Sequence, residues 1–221
     1  MRRAALVLAA VTAAGVAAGS AGATNECRGL QVCVPVAGPW VVTSSVAEVQ
    51  FQLACPKGFV VAGLDAELST RGIDIGFRGA LGTPVNPGIT TSTSTVFLAR
   101  LLHGGTATFR PHIGCIPASG SGERYPTAFH PQPPAPPTSV QLAVLPGTHR
   151  FVERCPAPYR LVTATHAIGF FSDAPPSAAL VRAVSVAQAI KGGSVRLTVR
   201  SAQLEAVRAI VQVDLVCVAG A

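Results

Sequence analysis

Charged residues make up only 12% of the 221 positions and aromatic residues only 5%. Disordered chains are polar and charged, so the low charged fraction and the positive mean hydropathy argue against a mostly unfolded, solvated chain. Lysine occurs only at positions 57 and 191, so the excess of basic residues is carried almost entirely by arginine. Those arginines are dispersed along the chain, with no Arg-rich helix and no set of stacking aromatics, which argues against nucleic acid as a partner. Catalytic signatures are missing too: there is no Gly-x-Ser-x-Gly elbow, no His-Glu-x-x-His, no Gly-rich phosphate loop and no calcium loop. No metal or cofactor is expected. Beyond Ala23 no apolar stretch is long enough to span a bilayer, because Asp, Arg, Gln and Gly interrupt every candidate.

What is present begins with a leader. Arg2 and Arg3 precede the apolar run Ala4–Ala18, and Gly19–Ala23 ends in a small-x-small pattern suited to cleavage after Ala23. The run is too short and too rich in Ala and Gly for a membrane anchor. Residues 1–23 are therefore expected to be a signal peptide, leaving a secreted or envelope-associated mature chain without a transmembrane segment. Loss of the two leader arginines takes the formal charge from +7 to +5.

The mature chain repeats itself. Cys55-Pro56-Lys57-Gly58-Phe59 is answered by Cys155-Pro156-Ala157-Pro158-Tyr159, and Ile113-Gly114-Cys115-Ile116 by Leu215-Val216-Cys217-Val218. A fixed internal period points to two similar units in place of one larger domain. Six cysteines in an exported chain imply disulfides. The repeat selects Cys55 with Cys115 and Cys155 with Cys217, which leaves Cys27 with Cys33. Zinc ligation by Cys27 and Cys33 fails, since zinc pairs sit closer together and come in twos. Each long disulfide loop contributes about 4 kcal/mol on the chain-entropy account.

Helical periodicity is weak and two-residue alternation common. Val49, Phe51, Leu53 and Cys55 share one face, as do Ile73, Ile75 and Phe77; Ala107, Phe109, Ile113 and Cys115; Val195, Leu197 and Val199; and Ala209, Val211, Val213, Leu215 and Cys217. Short alternating strands between Gly, Pro, Ser and Thr predict an all-β fold, two tandem similar β-sandwich modules each closed by one disulfide. The expected organisation is signal peptide 1–23, module 24–117, Pro-rich linker 118–139 and module 140–221. Five prolines within 131–137 make the linker an extended spacer. Ser177–Ile190 allows a helix by composition, but Val184 and Val186 alternate, and the strand is favoured.

Several residues are candidates for special roles. Asp65, Glu67 and Asp74 form the densest acidic group, which as paired carboxylates could serve glycoside hydrolysis only if they faced one cleft. His103, His112, His130, His149 and His166 show no ligand spacing. His112 and Asp214 occupy equivalent places in the two copies and read as solvated polar positions. Glu153 falls where the repeat expects an inward side chain, so it needs either an arginine partner, Arg154 or Arg160, or a β-bulge that turns it outward, and the bulge is favoured. Trp40 reads as a core or inter-module packing residue. The loop Gly79–Thr95 reads as a solvated connection leading into an edge strand.

At Cys55-Pro56-x-Gly58-Phe59, with a late strand closing on Cys115, the chain resembles small exported modules common in actinobacterial genomes. These begin with Cys-Pro-x-Gly-aromatic and end in a strand with a hydrophobic-Cys. The resemblance implies export and a β-fold, without a reaction. The second copy departs from it with Pro158 for Gly58 and Thr163 for Gly63. The expectation is an exported, non-catalytic binding or structural protein with a cell-wall glycan or protein as partner. The alternatives are a secreted hydrolase working through Asp65, Glu67 or Asp74, or a secreted protease inhibitor presenting Gly82–Gly88.

Overall fold

The computed structural model describes residues 24–78, 93–118, 138–204 and 207–219. Residues 1–23, read above as a leader, the stretch with Gly82–Gly88, His130 and the proline run 131–137 lie outside the described residues. The fold is all-β, with thirteen strands and one short helix in chain order among the described residues. The first seven strands are β1 (Val34–Ala37), β2 (Trp40–Ser44), β3 (Val49–Ala54), β4 (Phe59–Leu68), β5 (Ile73–Arg78), β6 (Ser94–Leu101) and β7 (Thr106–Pro117). Next come β8 (Thr138–Ala143), β9 (Gly147–Arg154), β10 (Tyr159–Phe171), the helix α1 (Ala178–Arg182), β11 (Val184–Lys191), β12 (Ser194–Ser201) and β13 (Arg208–Ala219).

The strands form three antiparallel sheets. In the large one β7 is flanked on one side by β4 and on the other by β1 and β2, and the sheet continues through β10 and β13 to β8. Two smaller sheets, β3–β6–β5 and β11–β12–β9, pack against it. The trio β10, β13, β8 follows β4, β7, β2 in the same order, but β10 runs antiparallel to β2, and the two cores lie on opposite faces of the shared sheet. The second trio thus stands to the first as a half-turn about a line crossing the strands, combined with a shift along it. Both trios carry a register shift near the start of their first strand, between Val61 and Gly63 and between Leu161 and Thr163.

The first core gathers Val41, Phe51, Phe97, Phe109 and Ile113, and the second Phe170, Val195, Leu197, Val199, Val211 and Leu215, all with little or no exposure. Each fully buried aliphatic or aromatic side chain contributes about 1.5–3 kcal/mol. Ala167 and Ile210 belong to the first core, although their neighbours Ile168, Ala209 and Val211 turn to the second. Strands β10 and β13 therefore carry buried side chains on both faces. Cys55–Cys115 and Cys155–Cys217, with sequence separations of 60 and 62, each tie the end of a small-sheet strand to the large sheet. Cys27–Cys33 closes a short loop ahead of β1.

Two local expectations are corrected. Residues 177–190 are not one strand: Ser177, after two prolines, caps a single helical turn by accepting from the Leu180 amide at 3.2 Å, and only from Val184 does β11 begin. Glu153 sits on no bulge, since the β9–β12 register runs unbroken and sets it opposite Val195. It shares the inward face with His149 and Phe151 at the open end of the sandwich, where partial exposure keeps its carboxylate wet, and no ion pair involves it among the described residues.

Candidate functional site

Among the described residues, carboxylates and a histidine meet on the face of β4 and β7 that looks away from the first core. Alternation puts Asp65 and Glu67 on that face of β4, with His112 opposite Asp65 and Arg110 opposite Glu67 on β7. Farther along the same two strands Gly63 lies opposite Gly114. The loop closed by Cys27 and Cys33 seats there. A Cβ at Gly63 or Gly114 would overlap the Glu26 carbonyl, and one at Gly114 would also come within 2.9 Å of the Cys33 sulfur. Paired glycines are what let the loop backbone rest on the sheet.

Seating the loop closes the cluster. The Asn25 amide donates to Asp65 Oδ2 at 2.6 Å, and the Asp65 Oδ1 atom accepts from the amide of Ala66 at 2.8 Å. His112 Nε2 stands 2.8 Å from Glu67 Oε1, and His112 Nδ1 3.7 Å from Glu26 Oε1. The Glu67 contact is close but does not meet the geometry of a directed hydrogen bond. Glu26 and His112 are buried at 6% exposure each. His112 is therefore not the solvated position that its outward register suggests: the cysteine loop covers it.

Asp214, the equivalent residue on β13, is not solvated either, being 1% exposed. It lies on the face of β13 that also carries Gln212, and Gln212 meets the first half of the chain. The Gln52 amide donates to Gln212 Oε1 at 2.5 Å, and Gln212 Nε2 donates to the Gln52 carbonyl at 2.9 Å. The side-chain amide thus plays the part of a neighbouring strand for the edge of β3. Burial pushes the Asp214 carboxyl from 3.8 up to about 6, against a smaller downward pull from Ser139, its cross-strand neighbour on β8. His112 and Asp214 do not approach each other, since β2 and β10 stand between β7 and β13.

The other candidates are dispersed. Asp74 is on β5 in a different sheet, opposite Arg100 and exposed, so the three acids of the hydrolase reading do not share one cleft. His103 is exposed, His149 Nε2 meets the Pro146 carbonyl at 3.0 Å, and His166 Nδ1 meets Gln188 Oε1 at 2.8 Å between the second pair of sheets. Trp40 is buried where β2 pairs with β10, opposite Phe170. A cleft of about 210 Å³ lies where Ser69 and Thr106–Thr108 face Pro176, Val181 and Arg182. It is smaller than ordinary ligand pockets and brings in one charged side chain. Among the described residues no three His, Cys, Asp or Glu side chains are placed to hold a metal ion, and no helix is long and apolar enough to cross a membrane. No family model matches the chain, and neither does any curated protein or solved structure.

Local periodicity in the sequence does not reveal the loop over the paired glycines. Gly63 and Gly114 stand at the same distance from Val61 and Cys115 as Thr163 and Val216 do from Leu161 and Cys217 in their registers. That small-for-large exchange was the available signal.

Proposed function

We propose that the chain is an exported, non-catalytic binding or structural protein of the cell envelope or extracellular space, assembled from two related disulfide-closed units. The observation that carries this reading is the seating of the Cys27–Cys33 loop on the Asp65, Glu67 and His112 cluster. A general acid and base need access to a substrate in a common cleft. Here the Asn25 amide occupies Asp65, the Glu26 carbonyl fills the space over the glycines, and the cluster serves as the junction of loop and sheet. Three disulfides without a free cysteine among the described residues suit an oxidising compartment, and the leader ending near Ala23 supplies the route to it. Rigid sheets joined by covalent ties hold surface side chains at fixed spacing, as a recognition surface requires.

The test pairs catalysis with retention. The purified mature protein, disulfides intact, is offered ester, peptide and glycan substrates and is separately incubated with washed envelope preparations. Retention on the envelope with no turnover is expected. Turnover abolished by Asp65→Asn or Glu67→Gln, in variants that keep their fold, sinks the proposal.

A further inference from the structure

In β12 the alternation that sends Val195, Leu197 and Val199 into the second core sends Arg196, Thr198 and Arg200 the other way. The register with β9 sets Val152 opposite Arg196, Arg150 opposite Thr198 and Thr148 opposite Arg200. On the far side β11 contributes Ala189, Ala187 and Ser185 to the same rows. Arg154 and Lys191 complete the face, both paired to Ser194 from either side. Arg150, Arg154, Lys191, Arg196 and Arg200 thus share one exposed sheet face. These arginines are dispersed in sequence but not in space, which corrects the expectation drawn from their scatter.

Among the described residues of the three strands nothing of opposite sign shares this face. Glu153 is the only acidic residue in the three strands, and it turns to the inside. Among the described residues none of the five cations has a carboxylate partner. The imbalance belongs to this half: residues 140–221 hold eight Arg and Lys against four Asp and Glu, whereas 24–117 hold six against five. The corresponding face of β3–β6–β5 carries Gln50, Gln52, Leu98, Arg78 and Arg100, two cations where the other sheet has five, with Asp74 opposite Arg100.

The spacing is regular. Two residues along a strand advance about 6.6 Å, and neighbouring strands lie about 4.8 Å apart. Arg154, Arg196, Arg150 and Arg200 therefore form a zigzag with one guanidinium every ~6.6 Å along the strand direction, over about 20 Å. A line of charges at that interval suits an extended polymer that carries an anionic group at short, regular intervals. Guanidinium forks match planar carboxylates in a bidentate way, and Thr148, Thr198 and Ser185 put hydroxyl groups between the cations, where a sugar's hydroxyls need partners. Single-stranded nucleic acid would need aromatic platforms, and this face has none.

The geometry points to the outer face of β9–β12–β11 as a binding site for a linear, carboxylate-bearing acidic polysaccharide. This rests on the reading of the chain as a binding protein and names the chemistry of its ligand. The polymer lies along β12, its carboxylates on Arg196 and Arg200 and, alternately, on Arg150 and Arg154.

The probe is de-esterified polygalacturonate, with dextran as the neutral control and single- and double-stranded DNA as the competing polyanions. The full mature chain is titrated by calorimetry over a salt series. Binding to polygalacturonate that weakens with salt, and none to dextran, is expected. R150A and R196A each weaken it roughly tenfold, the loss of one hydrogen-bonded charge. R196K keeps the charge but loses the fork, and weakens it by several-fold. R100A, on the other small sheet, leaves it unchanged. All of these positions are exposed, so unfolding midpoints confirm that the variants are intact. Failure to bind polygalacturonate, binding insensitive to R150A and R196A, or tighter binding to DNA through the same arginines overturns this proposal and leaves the broader one standing. Depolymerisation of the probe by the protein overturns the broader one.

Discussion

Changing Gly63 to alanine adds a single methyl group to β4, yet the Glu26 carbonyl already occupies its place. Neither side can yield cheaply, because one is loop backbone and the other the middle of a paired strand. The loop must lift. Lifting it breaks the hydrogen bond from the Asn25 amide to the Asp65 carboxylate, a charge-assisted bond of 2.6 Å worth about 1.5–3 kcal/mol. It also uncovers His112 and Glu26. The expected cost of Gly63→Ala is about 3 kcal/mol, at the upper end of single substitutions. Gly76→Ala is the matched control: Gly76 is also in a strand, and an added Cβ there meets nothing within 4 Å. That change is expected to stay within about 0.5 kcal/mol. Urea unfolding of both variants with disulfides intact gives the stability difference. Amide exchange at Asn25 and the ring signals of His112 report whether the loop has left. If Gly63→Ala costs no more than the control while the Asn25 amide stays protected, the account of the glycine pair is wrong.

Asp214 makes stability fall as pH rises. Its folded pKa of about 6 lies above the ordinary 3.8, so between those values the folded state binds the proton that the unfolded state has released. The stability contributed by protonation is full below about pH 4 and lost through pH 6, in total about 3 kcal/mol as an order of magnitude. Asp214→Asn is expected to flatten that window, and an unchanged slope in pH-dependent urea unfolding refutes the assignment. Gln212→Ala leaves the Gln52 amide and carbonyl without their partner, at about 1–3 kcal/mol, and should loosen the first half against the second. Exchange of the Gln52 amide with solvent measures it, and retained protection contradicts it.

The all-β class and the disulfide chemistry were legible in the sequence, since alternation and an even cysteine count depend only on neighbours along the chain. What lay across the sheets was not. The run Ala209–Leu215 reads as one apolar face and one mixed face, but Ile210 and Gln212 on the mixed side meet the first half. His112 and Asp214 each turn from their own core and so read as solvated, but the cysteine loop covers His112, and Asp214 is buried on the face whose Gln212 meets the first half of the chain. Arg196 and Arg200 were visibly alternate; the β9–β12 register was needed to bring Arg150 and Arg154 beside them.

Because β10 and β13 are packed on both sides, the internal similarity of the chain offers no place to cut it. A fragment beginning at residue 138 would bare Ala167, Ile210, Gln212 and Asp214, all buried in the whole molecule. A fragment ending before it would leave the edge of β3 without its glutamine and the first core without two of its walls. Sequence similarity divides the chain in two, while solubility treats it as one.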